Sequence, residues 1–81
     1  MSFERRTVTV AAGSERAYDP AEWFDALVVV QAGEVDLECR GGALARFRQG
    51  DILWLTGLPL RALRNPGPDA AVLLAISRIR A

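Results

Sequence analysis

The sequence contains no histidine and no lysine, and it has only one cysteine and one tyrosine. Histidine is the side chain that titrates nearest neutral pH and the commonest metal ligand, so its absence removes both roles. The lone Cys39 can form no disulfide within the chain and cannot build a cysteine cluster for zinc. Because no imidazole is present to activate its thiol, we expect Cys39 to be a small buried hydrophobe.

The charges balance, because ten arginines face ten acids and the formal net charge is zero. The arginines form no continuous stripe of the kind that nucleic acids require. Apolar runs such as Ala26–Val30 are far too short to span a membrane, and the first six residues lack the apolar core of a signal peptide. We therefore expect a cytoplasmic protein that binds neither nucleic acid nor membrane.

The chain is short for its apolar content. Its 81 residues are enough for one domain, which we place at 1–81. A domain of this size buries only about 60% of its unfolded surface and is marginally stable alone. Hydrophobic residues nevertheless make up 51% of the sequence. Since such an excess is often buried against a partner subunit, we expect a homodimer.

Short apolar segments separated by turn residues predict β-strands. Thr7–Val10 is β-branched, and Ala26–Val30 is a continuous run typical of a strand covered on both faces. Glu34–Arg40 alternates and carries an acidic outer row, and Pro20–Phe24 could form one helical turn. Further strands are predicted at Ala43–Gln49, Ile52–Leu55, Leu60–Asn65 and Ala70–Ile76. About seven short antiparallel strands indicate an all-β sandwich or barrel.

A hairpin is predicted around two adjacent glycines. If its loop is Gly41–Ala43, then Leu37 faces Phe47 and Glu38 faces Arg46, so the apolar and ionic pairs fall into register together. Each such cross-strand pair stabilises a sheet by roughly 0.2–1 kcal/mol, which favours this register over a one-residue slip.

The segment from Gly50 to Asn65 resembles the second sequence motif of the cupin family. That motif reads Gly, five residues, Pro-x-Gly, two residues, His, three residues, Asn. Here Gly50 and Asn65 have the required separation, and Thr56 stands in the proline position. Gly57 comes one position early, and Arg61 occupies the position of the metal-binding histidine.

The first cupin motif is also matched at its ends, by Gly13 and Gly33. The three ligand positions between them hold Asp19, Ala21 and Ala26. The resemblance implies a small double-stranded β-helix, or jelly-roll barrel, closing around a pocket. Transition metals need imidazole and carboxylate ligands, which these positions do not supply. We therefore expect no metal site and no cofactor.

Arg61 is the candidate with the clearest chemistry. Strand alternation puts it on the same face as Leu63, which in a cupin barrel points into the pocket. An unpaired buried guanidinium costs several kcal/mol, so Arg61 needs an anionic partner. One alternative is an internal salt bridge to Asp19 or Asp25. The other is a contact with the carboxylate or phosphate of a ligand.

The candidate ligand-binding residues are therefore Arg61, Asp19, Tyr18, Trp54 and Asn65. The first functional hypothesis is a metal-free, non-catalytic or regulatory domain that binds a small molecule, for example an anionic one, in its barrel pocket. The second is a metal-independent isomerase, epimerase, cyclase or lyase of a biosynthetic pathway, with Asp19 or Tyr18 moving the proton and Arg61 as the electrostatic clamp. The third is a structural dimeric interaction module. The sequence assigns no catalytic residue and leaves open whether the chain is an enzyme.

Overall fold

The computed structural model describes residues 2–79 as two four-stranded antiparallel sheets that share one core. Sheet A has the strand order β1-β8-β3-β6 and sheet B the order β2-β7-β4-β5. The strands are β1 (Phe3–Val10), β2 (Glu15–Ala17), β3 (Ala26–Ala32), β4 (Glu34–Cys39), β5 (Leu44–Arg48), β6 (Ile52–Trp54), β7 (Leu60–Arg64) and β8 (Ala71–Arg78). One helical turn, α1 (Pro20–Trp23), precedes β3. This confirms the predicted all-β fold, while Met1, Arg80 and Ala81 of the predicted domain lie outside the described residues.

The structure has eight strands in residues 2–79 rather than about seven. The additional strand is β2, in a polar segment that the sequence pattern predicts to be irregular. It pairs with β7, with Glu15 opposite Arg64 and Ala17 opposite Ala62. Three polar or small residues carry no apolar alternation, so this strand forms because β7 presents an edge to it and not because of its own propensity.

The predicted register of the β4–β5 hairpin is wrong by two residues. Val35 lies opposite Phe47 and Asp36 lies opposite Arg46. The loop closes one residue earlier than expected, because the Cys39 N–H donates to the Ala43 carbonyl oxygen at 2.8 Å. Moving a loop by one residue moves the pairing by two, so every side chain keeps its predicted face.

The core lies between the sheets and is apolar. Its buried members are Val8, Val10, Trp23, Ala26, Val28, Val30, Val35, Leu37, Leu53, Leu55, Leu60, Leu63, Ala71, Leu73 and Ala75. Along β3, alternate residues face this core, whereas Leu27 and Val29 face outward. The expectation that the Ala26–Val30 run is covered on both faces is therefore not met within one copy of residues 2–79.

Gly33, which matches the last glycine of the first cupin motif, lies at the β3–β4 turn, where the backbone requires glycine. Its φ is +74°, in the left-handed region that side chains with a Cβ rarely adopt. A Cβ built on Gly33 would lie 2.7 Å from the backbone oxygen of Ala70. The turn therefore approaches the start of β8 too closely for any residue other than glycine.

Candidate functional site

Arg61 does not point into the barrel. It lies on the outer face of sheet B with its side chain 53% exposed, and its guanidinium donates a hydrogen bond to Glu38. A second carboxylate, that of Glu15, lies 3.7 Å away. The orientation expected from strand alternation is wrong, and so is the choice of Asp19 or Asp25 as its salt-bridge partner.

A β-bulge in β7 turns the Arg61 side chain outward. Leu63 pairs with Leu37 in the normal register, but Leu60 pairs with Cys39, so the pairing shifts between Glu38 and Cys39. Leu60 and Leu63 both face the core although they are three residues apart, which period-two alternation does not allow. Arg61 is placed outside as a result, and its charge is never desolvated.

Arg61 belongs to a network of ion pairs that we call the charged face, the outer side of sheet B. Its members are Glu15, Glu34, Asp36, Glu38, Arg46, Arg61 and Arg64. Arg46 makes a two-pronged contact with Asp36 at 2.8 and 3.2 Å. That hydrogen bond raises the pKa of Arg46 further above its ordinary value, with smaller contributions from the charges of Asp36 and Glu34. The predicted acidic outer row is thus neutralised by arginines.

Asp19 and Tyr18 have local structural contacts. The Asp19 side chain caps α1 by accepting a hydrogen bond from the Ala21 N–H at 3.0 Å. The Tyr18 hydroxyl donates to the Leu55 carbonyl at 2.8 Å while its ring packs against the core. The Tyr18 backbone N–H also donates a hydrogen bond to the Arg61 carbonyl oxygen at 2.9 Å, which links two of the five candidates through backbone groups.

Asn65 is buried, and its side chain connects two other parts of the chain. Its side-chain amide nitrogen donates to the carbonyl oxygens of Val10 at 2.9 Å and Asp69 at 2.7 Å. Its side-chain oxygen accepts the Gly67 N–H at 3.0 Å. With only 1% of the residue exposed and these contacts all to backbone, Asn65 joins the end of β1 to the turn before β8.

Trp54 lies on the opposite side of the molecule from the charged face. It projects from the outer side of sheet A and is half exposed. Its neighbours there are apolar, and together they form what we call the apolar face: Phe3, Leu27, Val29, Ile52, Trp54, Val72, Leu74 and Ile76. The five candidates therefore do not converge on one pocket.

The centre of the barrel is filled by side chains. Trp23 is fully buried there, together with Leu55 and Leu63. Its indole N–H has no hydrogen-bond partner among residues 2–79. Trp23 therefore belongs to the packed core between the two sheets.

Two clefts open at the surface near the barrel ends. One is lined by Glu34, Arg48 and Asp69 among other residues. The other includes Glu15, Asp36 and Arg64. Each holds two carboxylates and one guanidinium, so neither favours an anion. Within residues 2–79 no group of three or more acidic or sulfur side chains is positioned to hold a metal ion.

An ionic cluster anchors α1 over the core. Arg16 and Arg6 both approach the Glu22 carboxylate, and the Arg6 guanidinium lies 5.3 Å from the centre of the Trp23 ring. The hydrogen bond from Arg16 lowers the pKa of Glu22 below its ordinary value, followed by the charges of Arg16 and Arg6, against an opposing effect of burial. Since α1 carries Trp23, this cluster also stabilises the filling of the barrel.

Two antiparallel sheets with this strand order around a shared core form the double-stranded β-helix fold that small cupin domains have, as the glycine spacing predicted. The chain is similar to the crystal structure of the Cupin_2 domain of an XRE family transcriptional regulator from Enterobacter cloacae. The TM-score is 0.73 at 20% sequence identity, over 96% of this chain and 83% of that one. This likeness establishes the fold and no shared activity. A scan of protein-family models and a search of curated proteins found no match.

The apolar face is the feature that reasoning on candidate residues missed. Its signal was present in the sequence, because the Ala26–Val30 and Ala70–Ile76 runs are apolar at successive positions. A strand buried on one face alternates, whereas a strand apolar at every position needs cover on both sides. In residues 2–79 no helix is long and apolar enough to span a membrane.

Proposed function

We propose that this chain is a non-catalytic, regulatory protein-interaction domain built on a cupin barrel. The proposal rests on the distribution of apolar side chains. The interior between the sheets is a packed core that includes Trp23, and a large apolar surface lies on the outside of sheet A. Exposed apolar patches of this kind mark interaction sites in soluble proteins.

The small-molecule alternatives draw less support from the geometry. A ligand in the barrel needs a cavity, and Trp23 fills the interior. The proton-transfer alternative needs Asp19, Tyr18 and Arg61 to meet, but Asp19 caps a helix and Arg61 is held on the charged face. The domain similar to this chain belongs to a transcriptional regulator, which supports a regulatory and cytoplasmic role.

Thermal unfolding in the presence of metabolite-like carboxylates, phosphates and sugars tests this proposal. A bound ligand at 100 times its Kd stabilises a fold by about 2.7 kcal/mol, and each kcal/mol raises the Tm of a domain this size by about 4–8 °C. We expect shifts below about 1 °C, which is far smaller than that response. Elemental analysis of the purified protein should find no stoichiometric transition metal.

Two results would contradict the proposal. A shift of many degrees with one compound, lost in Arg61→Ala, would restore the ligand hypothesis. A stoichiometric metal that resists dialysis would restore a metal site. Arg40→Ala, which removes an exposed arginine from the turn after β4, is the matched control for Arg61→Ala.

A further inference from the structure

We propose that the apolar face binds a second copy of this chain, with sheet A of one copy packed on sheet A of the other across a two-fold axis. This inference rests on the proposed function, since it names the partner of the interaction domain. It gives the homodimer expected from composition a defined surface.

The apolar face is continuous across neighbouring strands. Two adjacent rows of outward side chains cross β8, β3 and β6, namely Ile76–Leu27–Trp54 and Leu74–Val29–Ile52. Phe3 extends the surface at the end of β1, and a shallow apolar groove runs between Phe3, Leu27, Trp54 and Ile76. Side chains on flat sheet faces interdigitate with those of a second sheet about 10 Å away, as they do inside a sandwich.

The area of this face matches the lower limit for a stable dimer. Phe3, Leu27, Ile52 and Trp54 are 57%, 41%, 63% and 50% exposed. Taking about 150–250 Å² for a whole large apolar side chain, these four side chains expose about 300–500 Å² per copy, to which the partly buried Val29, Val72, Leu74 and Ile76 add. Two copies would bury about 1,000 Å², the minimum for a specific interface. A patch of this size lies at the upper end of what monomers usually expose.

A second copy fits the face better than the other occupants. In a two-fold contact the same patch meets itself, so apolar meets apolar and the charged face stays in water. A head-to-tail contact would instead bury the charged face of sheet B and desolvate its ions.

The charges at the rim also permit self-association. The chain has zero net charge, so two copies do not repel each other at long range. At the edge of the face Arg78 lies 3.5 Å from Asp25 of the same copy, which leaves that pair neutral. Arg5 of the edge strand β1 is exposed opposite Ile76 on the same outer side, where its guanidinium can stay in water. The middle of the apolar face therefore presents no charge to its own image.

Sedimentation equilibrium of the whole 81-residue chain over a concentration series tests the inference. We expect a dimer with a Kd roughly in the micromolar range, as the modest area implies. Leu27→Glu places a charge in the centre of the face in both copies and should weaken association by about 100-fold or more. Leu44→Glu introduces the same charge at an exposed leucine on sheet B and should leave Kd within about twofold.

Tryptophan fluorescence provides a second measurement. Trp23 is buried in a single copy already, whereas Trp54 is half exposed on the face. Emission should shift to shorter wavelength as the dimer forms, and this shift should disappear in Trp54→Phe. If Leu27→Glu does not fold, as judged by its thermal melt, Ile52→Glu at a more exposed position takes its place.

A chain that stays monomeric at about a hundred times the expected Kd overturns this inference. So does a Leu27→Glu or Ile52→Glu variant that folds and dimerises as the wild type does. A monomer that co-sediments with phosphatidylglycerol vesicles through Trp54 would assign the face to lipid instead. None of these outcomes bears on the ligand and metal measurements that test the proposed function, so the two failures are distinguishable.

Discussion

Replacing Asn65 by alanine should cost a large part of the stability of the fold. The change removes three hydrogen bonds, to the backbone groups of Val10, Asp69 and Gly67. A buried polar group left without a partner costs about 1–3 kcal/mol. The contact with Val10 is buried and the other two are partly buried, so water can replace some of the loss. We estimate a total of about 2–4 kcal/mol.

The assay is thermal and urea unfolding followed by circular dichroism. For a domain of this size the estimate corresponds to a fall in Tm of roughly 10–25 °C. Gln31→Ala, which removes an exposed amide from β3, is the control and should change stability by less than about 0.5 kcal/mol.

Asn65→Asp separates the hydrogen-bonding explanation from a loss of volume. The aspartate keeps the shape and can still accept from Gly67, but it turns a negative oxygen toward two carbonyl oxygens. The pKa of this carboxyl is therefore raised in the folded state, and the variant should regain stability as the pH falls and it becomes protonated. The reasoning is refuted if Asn65→Ala melts within about 3 °C of the wild type, or if the Tm difference between Asn65→Asp and the wild type is the same at pH 7 as at pH 4.

The remaining predictions concern a turn, the core and the α1 anchor. Gly33→Ala forces a Cβ against backbone at a left-handed φ and should destabilise the fold by about 1–3 kcal/mol or more, whereas Gly41→Ala, which meets open space, should change the urea midpoint little. Trp23→Ala should cost about 3–5 kcal/mol in the same titration, and a loss under 1 kcal/mol would show that the indole does not fill the core. Because Arg16 lowers the pKa of Glu22, their bond stabilises the fold above the ordinary Glu pKa of 4.5 and is lost as the pH falls through the lowered value. The Tm difference between wild type and Arg16→Gln should therefore be largest at pH 7 and shrink below about pH 4.5, and a constant difference would contradict this assignment.

The fold was predictable because its main signals are local. Glycines at tight turns and apolar alternation along strands depend on backbone sterics and on burial, both of which act over a few residues. Gly33, for example, marks a turn whose backbone approach excludes a Cβ. The strand order followed once these turns were matched to the spacing of a known family.

The candidate site was less predictable, because a β-bulge changes which side chains of a strand face the core. Strand alternation from Leu63 predicts that Arg61 faces the interior. One extra residue in β7, at the β-bulge, turns Arg61 outward instead. Asn65 was singled out as a ligand-binding candidate by its motif position, but its side chain bonds backbone groups at the end of β1 and in the turn before β8, two segments that no spacing rule brings together. The strand β2 likewise exists only through its pairing with β7.

The bulge at Arg61 has a consequence for how this scaffold can change. A histidine substituted at that position would present its imidazole to solvent beside Glu38, because the backbone and not the side chain decides the direction. An inward ligand on this strand would require deleting a residue, which shifts the pairing of everything beyond it. A single substitution at Arg61 therefore cannot place a metal ligand inside this barrel, because that would require a change in strand length.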